Sequence, residues 1–133
     1  MTAIIDIEGI GDVYAKKLEE IGITTAEELL AKGATPTGRK KIVEQTEISS
    51  KLVMRWLNHA DLLRVGAGGQ FAELLEAAGV DTIPELAQRN AQNLHQKLVE
   101  VNEAKNLAPE TPSADQVSGW VAQAKELPRI ITY

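Results

Sequence analysis

Cysteine is absent from this chain of 133 residues. Its absence excludes disulfides, thiolate zinc sites, iron–sulfur clusters and cysteine nucleophiles, because each of them needs a thiol. Aromatic residues are scarce, and one Phe, two Tyr and two Trp are too few for a base-stacking platform. No run approaches the ~18 to 20 uncharged apolar residues of a membrane span. The first residues, Met1 to Asp6, lack the basic start and apolar core of a secretory signal, so we expect a cytoplasmic protein without membrane contact.

The remaining composition is the ordinary mixture of a soluble globular protein, with 44% apolar and 25% charged residues. Wholesale disorder needs low hydrophobicity and high net charge, so this mixture excludes it. The formal net charge is −5. Because proteins that bind nucleic acid are usually basic, this charge disfavours nucleic acid as the partner.

An internal repeat is the strongest pattern in the sequence. The segment from Gly9 to Leu29 matches the segment from Gly66 to Leu86, which lies 57 residues further on. Identical pairs include Gly9/Gly66, Gly11/Gly68, Ala15/Ala72, Leu18/Leu75, Gly22/Gly79 and Thr25/Thr82. The match resumes 64 residues apart at Ser49/Ser113 and Trp56/Trp120, because the second copy carries an insertion with two prolines at 103–112. The pattern predicts a duplicated unit, 1–64 and 65–133, whose copies are separate domains or halves of one compact domain.

Capping residues divide each copy into four short helices, so the predicted fold class is all-α. In both copies a threonine stands three residues before a glutamate, the spacing of a capping box. A serine opens the fourth helix, and a glycine follows the first helix at the position that favours a left-handed residue. These residues are Thr25 and Thr82, Ser49 and Ser113, and Gly22 and Gly79. Apolar spacing is helical throughout.

The core of each copy is predicted from the matched apolar stripes. Trp56 and Trp120 occupy equivalent positions in their copies, and so do Leu18 and Leu75. We expect these four side chains to anchor two similar helical bundles that pack together.

The string Ile7-Glu8-Gly9-Ile10-Gly11, followed by a helix and then by Gly22-Ile23, resembles the tandem helix-hairpin-helix family. The resemblance covers about 5–63 and 62–127. More narrowly, the sequence is similar to a family of small bacterial proteins catalogued as a domain of unknown function. The resemblance implies two four-helix bundles of the SAM-domain-like or polymerase-beta-like kind, and no established activity.

The two Gly-x-Gly turns are the candidate binding sites. Glycine allows positive φ, and the N–H groups that open the following helix form a positive concavity. In DNA-binding relatives such a turn holds a phosphate oxygen beside a monovalent cation, which is what the resemblance implies here. The candidate positions are Gly9, Ile10, Gly11, Gly66, Ala67 and Gly68, with Lys16 and Lys17 on the helix after the first turn. The alternative interpretation is that each turn only joins two packed helices.

Three departures from DNA-binding relatives favour the structural interpretation of the turns. Asp12 follows the first turn, where we expect it to be an acidic N-cap that occupies the positive helix end. The place of a second hairpin in the first copy, Thr46 to Ser49, has no glycine. Residues 65–133 carry five basic and nine acidic residues, whereas 1–64 carry nine and ten.

A single basic cluster, Arg39-Lys40-Lys41, is predicted to open the third helix. It has two interpretations. In the first, the three cations contact phosphates or an acidic partner. In the second, they form a solvated face of the helix, and Ile42 and Val43 form its buried side.

Catalysis has little support in the sequence. The two histidines, His59 and His95, lie in different copies, and each is interpreted as a surface side chain. A dinucleotide fingerprint would need a third glycine at Tyr14 or Phe71. We therefore expect no enzyme, no metal site and no small-molecule substrate, and no cofactor beyond the monovalent cation that the resemblance implies.

The predicted function is that of a non-catalytic binding module whose partner is another protein or a second copy of the chain. The alternative hypothesis is weak, sequence-independent binding of DNA or RNA by the hairpin amides and the basic cluster. The two hypotheses differ in salt dependence, because phosphate contacts weaken steeply as salt rises.

Overall fold

A computed structural model describes residues 2–7, 9–67 and 70–133 of the chain. These residues contain eight α-helices and form no strand. The prediction of an all-α fold is confirmed. The helices are α1 (Asp12–Glu20), α2 (Ala26–Gly33), α3 (Pro36–Thr46), α4 (Ser50–Leu62), α5 (Gln70–Ala77), α6 (Ile83–Ala87), α7 (Ala91–Lys105) and α8 (Ala114–Glu126). Short 3-10 turns precede α1 and α5, at Ile4–Asp6 and Leu63–Val65. Among the described residues, no helix has the length and apolar composition needed to cross a bilayer.

The chain divides into two compact units. Unit 1 extends to Asp61 and includes the C-terminal residues Arg129–Tyr133, whereas unit 2 is Leu62–Pro128. The C-terminal segment belongs with unit 1 because the Thr132 N–H donates to the carbonyl of Ala34 at 2.7 Å. The sequence repeat predicts this segment in the second copy, 65–133. Similarity between two stretches of sequence carries no information on a contact between the C-terminal residues and unit 1.

Glycine ends the first helix of each unit, as the sequence predicts. Gly22 has a φ of +85° and Gly79 a φ of +92°, where residues with a Cβ are strained. The Gly22 N–H donates to Glu19 at 3.0 Å and the next N–H, of Ile23, donates back to Leu18 at 2.9 Å. Gly79 and Val80 repeat both bonds at the same lengths. These are Schellman motifs, which satisfy carbonyls at the helix end and turn the chain into the next helix.

The predicted capping boxes at Thr25 and Thr82 are incomplete. The Thr25 hydroxyl accepts from the Glu28 N–H at 3.1 Å, but the Glu28 carboxylate accepts from the N–H of Thr24 instead of the N-cap. Hydrogen bonds from the Thr24 hydroxyl and N–H hold the pKa of Glu28 below its ordinary value. Thr82 accepts no capping bond, and its hydroxyl donates to the Glu85 carboxylate at 3.3 Å. In both units the glutamate reaches the amide one residue before the N-cap, so the reciprocal bond of a strict box does not form.

The serine caps are confirmed. The Ser113 hydroxyl accepts from the Gln116 N–H at 3.1 Å, and the Gln116 side chain accepts from the Ser113 N–H at 2.9 Å, which completes a capping box at α8. Ser49 accepts from the Leu52 N–H at 3.2 Å at the start of α4.

A tilted aromatic pair lies in the core of each unit. The rings of Tyr14 and Trp56 have centroids 5.1 Å apart at an interplanar angle of 57°. Phe71 and Trp120 repeat this arrangement in unit 2, at 5.4 Å and 54°. Both tryptophans are buried, as are Leu18 and Leu75. Contacts between aromatic rings at such distances stabilise the pair beyond the area that it buries.

Helices α2 and α3 of unit 1 approach each other at Gly38. A Cβ on this residue would lie 2.0 Å from the carbonyl oxygen of Lys32, which is backbone and cannot rotate away. Pro36 begins α3, and the Thr35 hydroxyl accepts from the Gly38 N–H at 3.1 Å. Glycine at this position is therefore a requirement of helix packing.

The predicted insertion of unit 2 is partly helical. Residues 103–105 are the last residues of α7, and Asn106 is its C-cap with a φ of +51°. The rest of the segment is held by one side chain, because Asn102 donates to the Ala108 carbonyl at 3.1 Å and accepts from the Ala108 N–H at 2.9 Å. The same amide group donates to Thr111 at 3.2 Å.

We predict that Trp56→Ala lowers the free energy of unfolding by about 3 to 5 kcal/mol, as truncation of a buried ring does. Urea denaturation followed by circular dichroism measures the change. Val13→Ala, at a position that is 70% exposed, is the control and is expected to stay within about 0.5 kcal/mol of the wild type. Equal midpoints for the two variants would contradict a core role for Trp56.

A pair of glycine substitutions tests the contact between α2 and α3. We expect Gly38→Ala to destabilise the protein by about 2 kcal/mol or more, because the new methyl group overlaps a carbonyl. Gly119→Ala, within α8, meets nothing within 4 Å and is expected to stabilise by about 0.5 to 1 kcal/mol through helix propensity. Thermal denaturation measures the melting temperature of each variant. A shift of both melting temperatures in the same direction would contradict this packing.

Candidate binding surface

The first hairpin turns at Gly9, which has a φ of +92°. Gly11 lies in the extended region, with φ −90° and ψ −178°, and is itself the N-cap of α1. Asp12 is therefore the first helical residue, and the prediction that it is the N-cap is wrong by one position. Ile10 is buried, and its N–H donates to the Ile7 carbonyl at 3.1 Å. The N–H of Ile10, a candidate donor to a phosphate, is therefore already hydrogen-bonded within its own unit.

The second hairpin follows the 3-10 turn after α4. Gly66 has a φ of +81°, and its N–H donates to the Leu63 carbonyl at 2.9 Å. The next N–H, of Ala67, donates to the Leu62 carbonyl at 3.3 Å, and the Ala67 side chain is buried. The third candidate position, Gly68, lies outside the described residues. The N–H groups of Gly66 and Ala67 are therefore both hydrogen-bonded to carbonyls of the preceding residues Leu62 and Leu63.

The basic cluster divides into two kinds of side chain. The Arg39 guanidinium donates to the carbonyls of Gly33 at 2.9 Å and Ala34 at 3.2 Å from Nη1, and to Thr132 at 2.6 Å from Nη2. It also lies 5.9 Å from the ring centroid of Tyr133. Arg39 therefore satisfies the carbonyls at the end of α2 and attaches the C-terminal segment to unit 1.

The lysines beside Arg39 point to solvent. Lys40 and Lys41 are exposed in the second turn of α3, which begins at Pro36, so they lie past the positive end of the helix. On α1, Lys16 is exposed and Lys17 is half-buried. Because Arg39 is turned toward backbone carbonyls, the three residues of the basic cluster do not all face solvent.

A cleft of about 290 Å³ lies where the end of α1 meets α2 and α3. We call it the lysine cleft; it is lined by Ile21, Lys32, Gly38, Lys41, Ile42 and Gln45. The Lys32 ammonium donates to the Ile21 carbonyl at 2.7 Å, at the C-terminal end of α1. Of these residues, the basic run in the sequence predicts only Lys41 as a binding residue, and neither Lys32 nor Gln45 belongs to a predicted site. No local signal marks Lys32, because it lies in the last turn of α2 and caps a different helix.

Exposed apolar side chains are concentrated in unit 1. Val13 is 70% exposed, Tyr133 69% and Ile5 45%, whereas the described part of unit 2 exposes no large apolar side chain to this degree. Val13 lies in the first turn of α1 and Ile5 in the 3-10 turn that packs against α1. These two residues therefore flank the first hairpin.

The histidines differ in burial. His59 is 2% exposed, so the prediction of a surface histidine is wrong at this position. It lies three residues after Trp56 on α4, and this spacing places both on one helix face. His95 is half-buried on α7. Within 2–7, 9–67 and 70–133, no three His, Asp or Glu side chains are grouped closely enough to hold a metal ion.

Comparison with known proteins gives one family. A model described as a domain of unknown function (DUF4332) matches residues 8–127. This agrees with the resemblance to a domain of unknown function drawn from the sequence. Neither the curated proteins nor the solved structures gave a match.

The role of Arg39 can be separated from that of its neighbour. We expect Arg39→Ala to lower the free energy of unfolding by about 1 to 2 kcal/mol, because three carbonyls lose a charged donor and the site is partly exposed. Lys40→Ala removes the same charge from an exposed position and is expected to change stability by less than about 0.5 kcal/mol. Equal unfolding midpoints for the two variants in urea would show that Arg39 has no anchoring role.

Proposed function

The chain belongs to the DUF4332 family, and from that premise we propose that it is a non-catalytic binding module whose partner is a protein. We further propose that its two units are duplicated helix-hairpin-helix units. Three matched features support the duplication. Each unit turns at a glycine of positive φ before its first helix, ends that helix at another such glycine, and carries a tilted aromatic pair in its core.

The exposure of Val13 is the observation that carries the protein-binding proposal. This side chain stands in the first turn of α1, next to the hairpin, and is 70% exposed. In a hairpin that binds phosphate, the side chain at this position would face the charged, strongly hydrated sugar-phosphate backbone of the nucleic acid. An apolar side chain gains free energy there only by burial against another apolar surface, roughly 25 cal/mol for each Å² buried.

The hydrogen bonds of the hairpins support the same proposal. The N–H groups of Ile10, Gly66 and Ala67 all donate to carbonyls of their own unit, which leaves fewer donors for a phosphate. The Asp12 carboxylate lies in the first turn of α1, where it competes with an anion for the positive helix end. The Arg39 guanidinium binds three carbonyls of unit 1.

Nucleic-acid binding remains the second candidate because of the first hairpin. Gly9 is exposed and has a φ of +92°, and Lys16 is exposed on the following helix. Such a surface would give weak binding that falls steeply as salt rises, since each phosphate contact releases about one counterion. Fluorescence anisotropy with a labelled duplex of ~20 base pairs at two salt concentrations measures this dependence.

We predict that Val13→Glu abolishes capture of the protein partner. The new carboxylate suits the first turn of a helix, so the fold is expected to persist while the apolar contact is lost. Tagged wild type and Val13→Glu are compared in pull-downs from untreated and nuclease-treated lysate of the source organism. Sedimentation analysis of the purified chains detects a second copy as partner.

Ala122→Glu is the matched control, because it adds the same charge at an exposed position of α8. The wild type and this control are expected to retain the partner. Equal capture by Val13→Glu, or capture that nuclease treatment removes, would contradict the proposal.

A further inference from the structure

The lysine cleft is a second feature of unit 1 that the hairpin does not explain. Its six lining residues come from the end of α1, from α2 and from α3. The close approach at Gly38 shapes it, because residue 38 has no side chain and the Lys32 carbonyl passes within 2.0 Å of where a Cβ would be. The cleft is thus a consequence of helix packing.

The charge of the lysine cleft has one sign. Lys32 and Lys41 are both exposed and are its ionisable lining residues, so none of the lining residues carries a carboxylate. One of the three N–H groups of the Lys32 ammonium donates to the Ile21 carbonyl at 2.7 Å. That bond holds the ammonium at the rim and leaves two donors for another acceptor. Gln45 adds a polar, uncharged residue to the lining.

The base of the cleft is apolar. Ile42 is 2% exposed and Ile21 is half-buried, so the cleft combines aliphatic carbon with two exposed lysines. A bare inorganic anion would leave this base in contact with water. A ligand that combines a carboxylate with aliphatic carbon satisfies both parts, because the apolar contact and the charge-assisted hydrogen bonds add.

The volume limits the size of the ligand. Pockets that enclose a drug-sized molecule measure about 300 to 1,000 Å³, and the lysine cleft measures about 290 Å³. It therefore accommodates one or two side chains and leaves the rest of the ligand outside. Side chains that project from a polypeptide enter a site in this way.

We propose that the lysine cleft binds an acidic side chain and an adjacent aliphatic side chain from an acidic segment of a partner protein. The inference rests on the proposed function, since it names the chemistry of the protein partner. The carboxylate accepts from the Lys32 and Lys41 ammonium groups, and the aliphatic side chain covers Ile21 and Ile42.

The probe for this proposal is the capped tripeptide acetyl-Glu-Leu-Glu-amide, titrated into the full-length ¹⁵N-labelled chain at low salt. We expect the amide resonances of Gly38, Ile42 and Gln45 to shift and to saturate in the millimolar range. Acetyl-Gln-Leu-Gln-amide keeps the shape without the charge and is expected to leave these resonances unmoved. Equal saturation by the glutamine peptide, or equal affinity for inorganic phosphate, would overturn the proposal in favour of a purely apolar or purely anionic site.

Substitution of one rim lysine completes the test. Lys41→Gln is expected to weaken tripeptide binding about fivefold, the effect of one exposed charge pair. Lys40→Gln is the matched control, because it removes the neighbouring charge outside the cleft, and binding is expected to stay unchanged. Equal affinities for these two variants would overturn the proposal. This outcome is distinct from failure of the proposed function, which is measured by partner capture with Val13→Glu and does not involve the tripeptide.

Discussion

The close contact between Gly38 and the carbonyl of Lys32 is the constraint on which most features of unit 1 depend. With 2.0 Å between that oxygen and the place of a Cβ, no other residue fits without separating α2 from α3. The contact brings Arg39, one residue later, within reach of the last carbonyls of α2. The side chain of the same Lys32 donates to the Ile21 carbonyl at the end of α1. One missing side chain therefore permits the close approach of α2 and α3, the hydrogen bonds of Arg39 and the shape of the lysine cleft, which Gly38 itself lines.

The cations of unit 1 illustrate how a fold assigns different roles to neighbouring residues of the same charge. Arg39 has a planar group with several donors, and it binds three carbonyls from two segments. Lys32 has a single ammonium group and caps one helix end. Lys40 and Lys41 are exposed. Each of these side chains keeps its charge. Lys32, Lys40 and Lys41 have ammonium donors left for a partner, whereas the Arg39 guanidinium is directed toward carbonyls of its own unit.

The two units share their turns and aromatic pairs but differ in what they expose. Unit 2 has five basic and nine acidic residues and no exposed large apolar side chain among its described residues, whereas unit 1 has Ile5, Val13 and Tyr133 at its surface. The connection before α8 also differs, because Asn102 supplies three hydrogen bonds that fix a longer segment. Units with matched turns and aromatic pairs thus carry different surfaces, and the apolar and cationic features on which both proposals depend lie in unit 1.

Local chemistry determined the helices. Gly22 and Gly79 end α1 and α5, and Ser49 and Ser113 begin α4 and α8, because positive φ and N-cap bonds depend on a few consecutive residues. The apolar spacing likewise predicted an all-α fold, since the helical period is a property of the chain itself. The tertiary structure alone decided where side chains went once the helices met. His59 is buried, Arg39 holds Thr132 from 93 residues away, and Lys32 caps a helix other than its own. Such contacts join residues distant in the sequence, and their geometry depends on the distance at which two helices cross, which no pattern along the chain encodes.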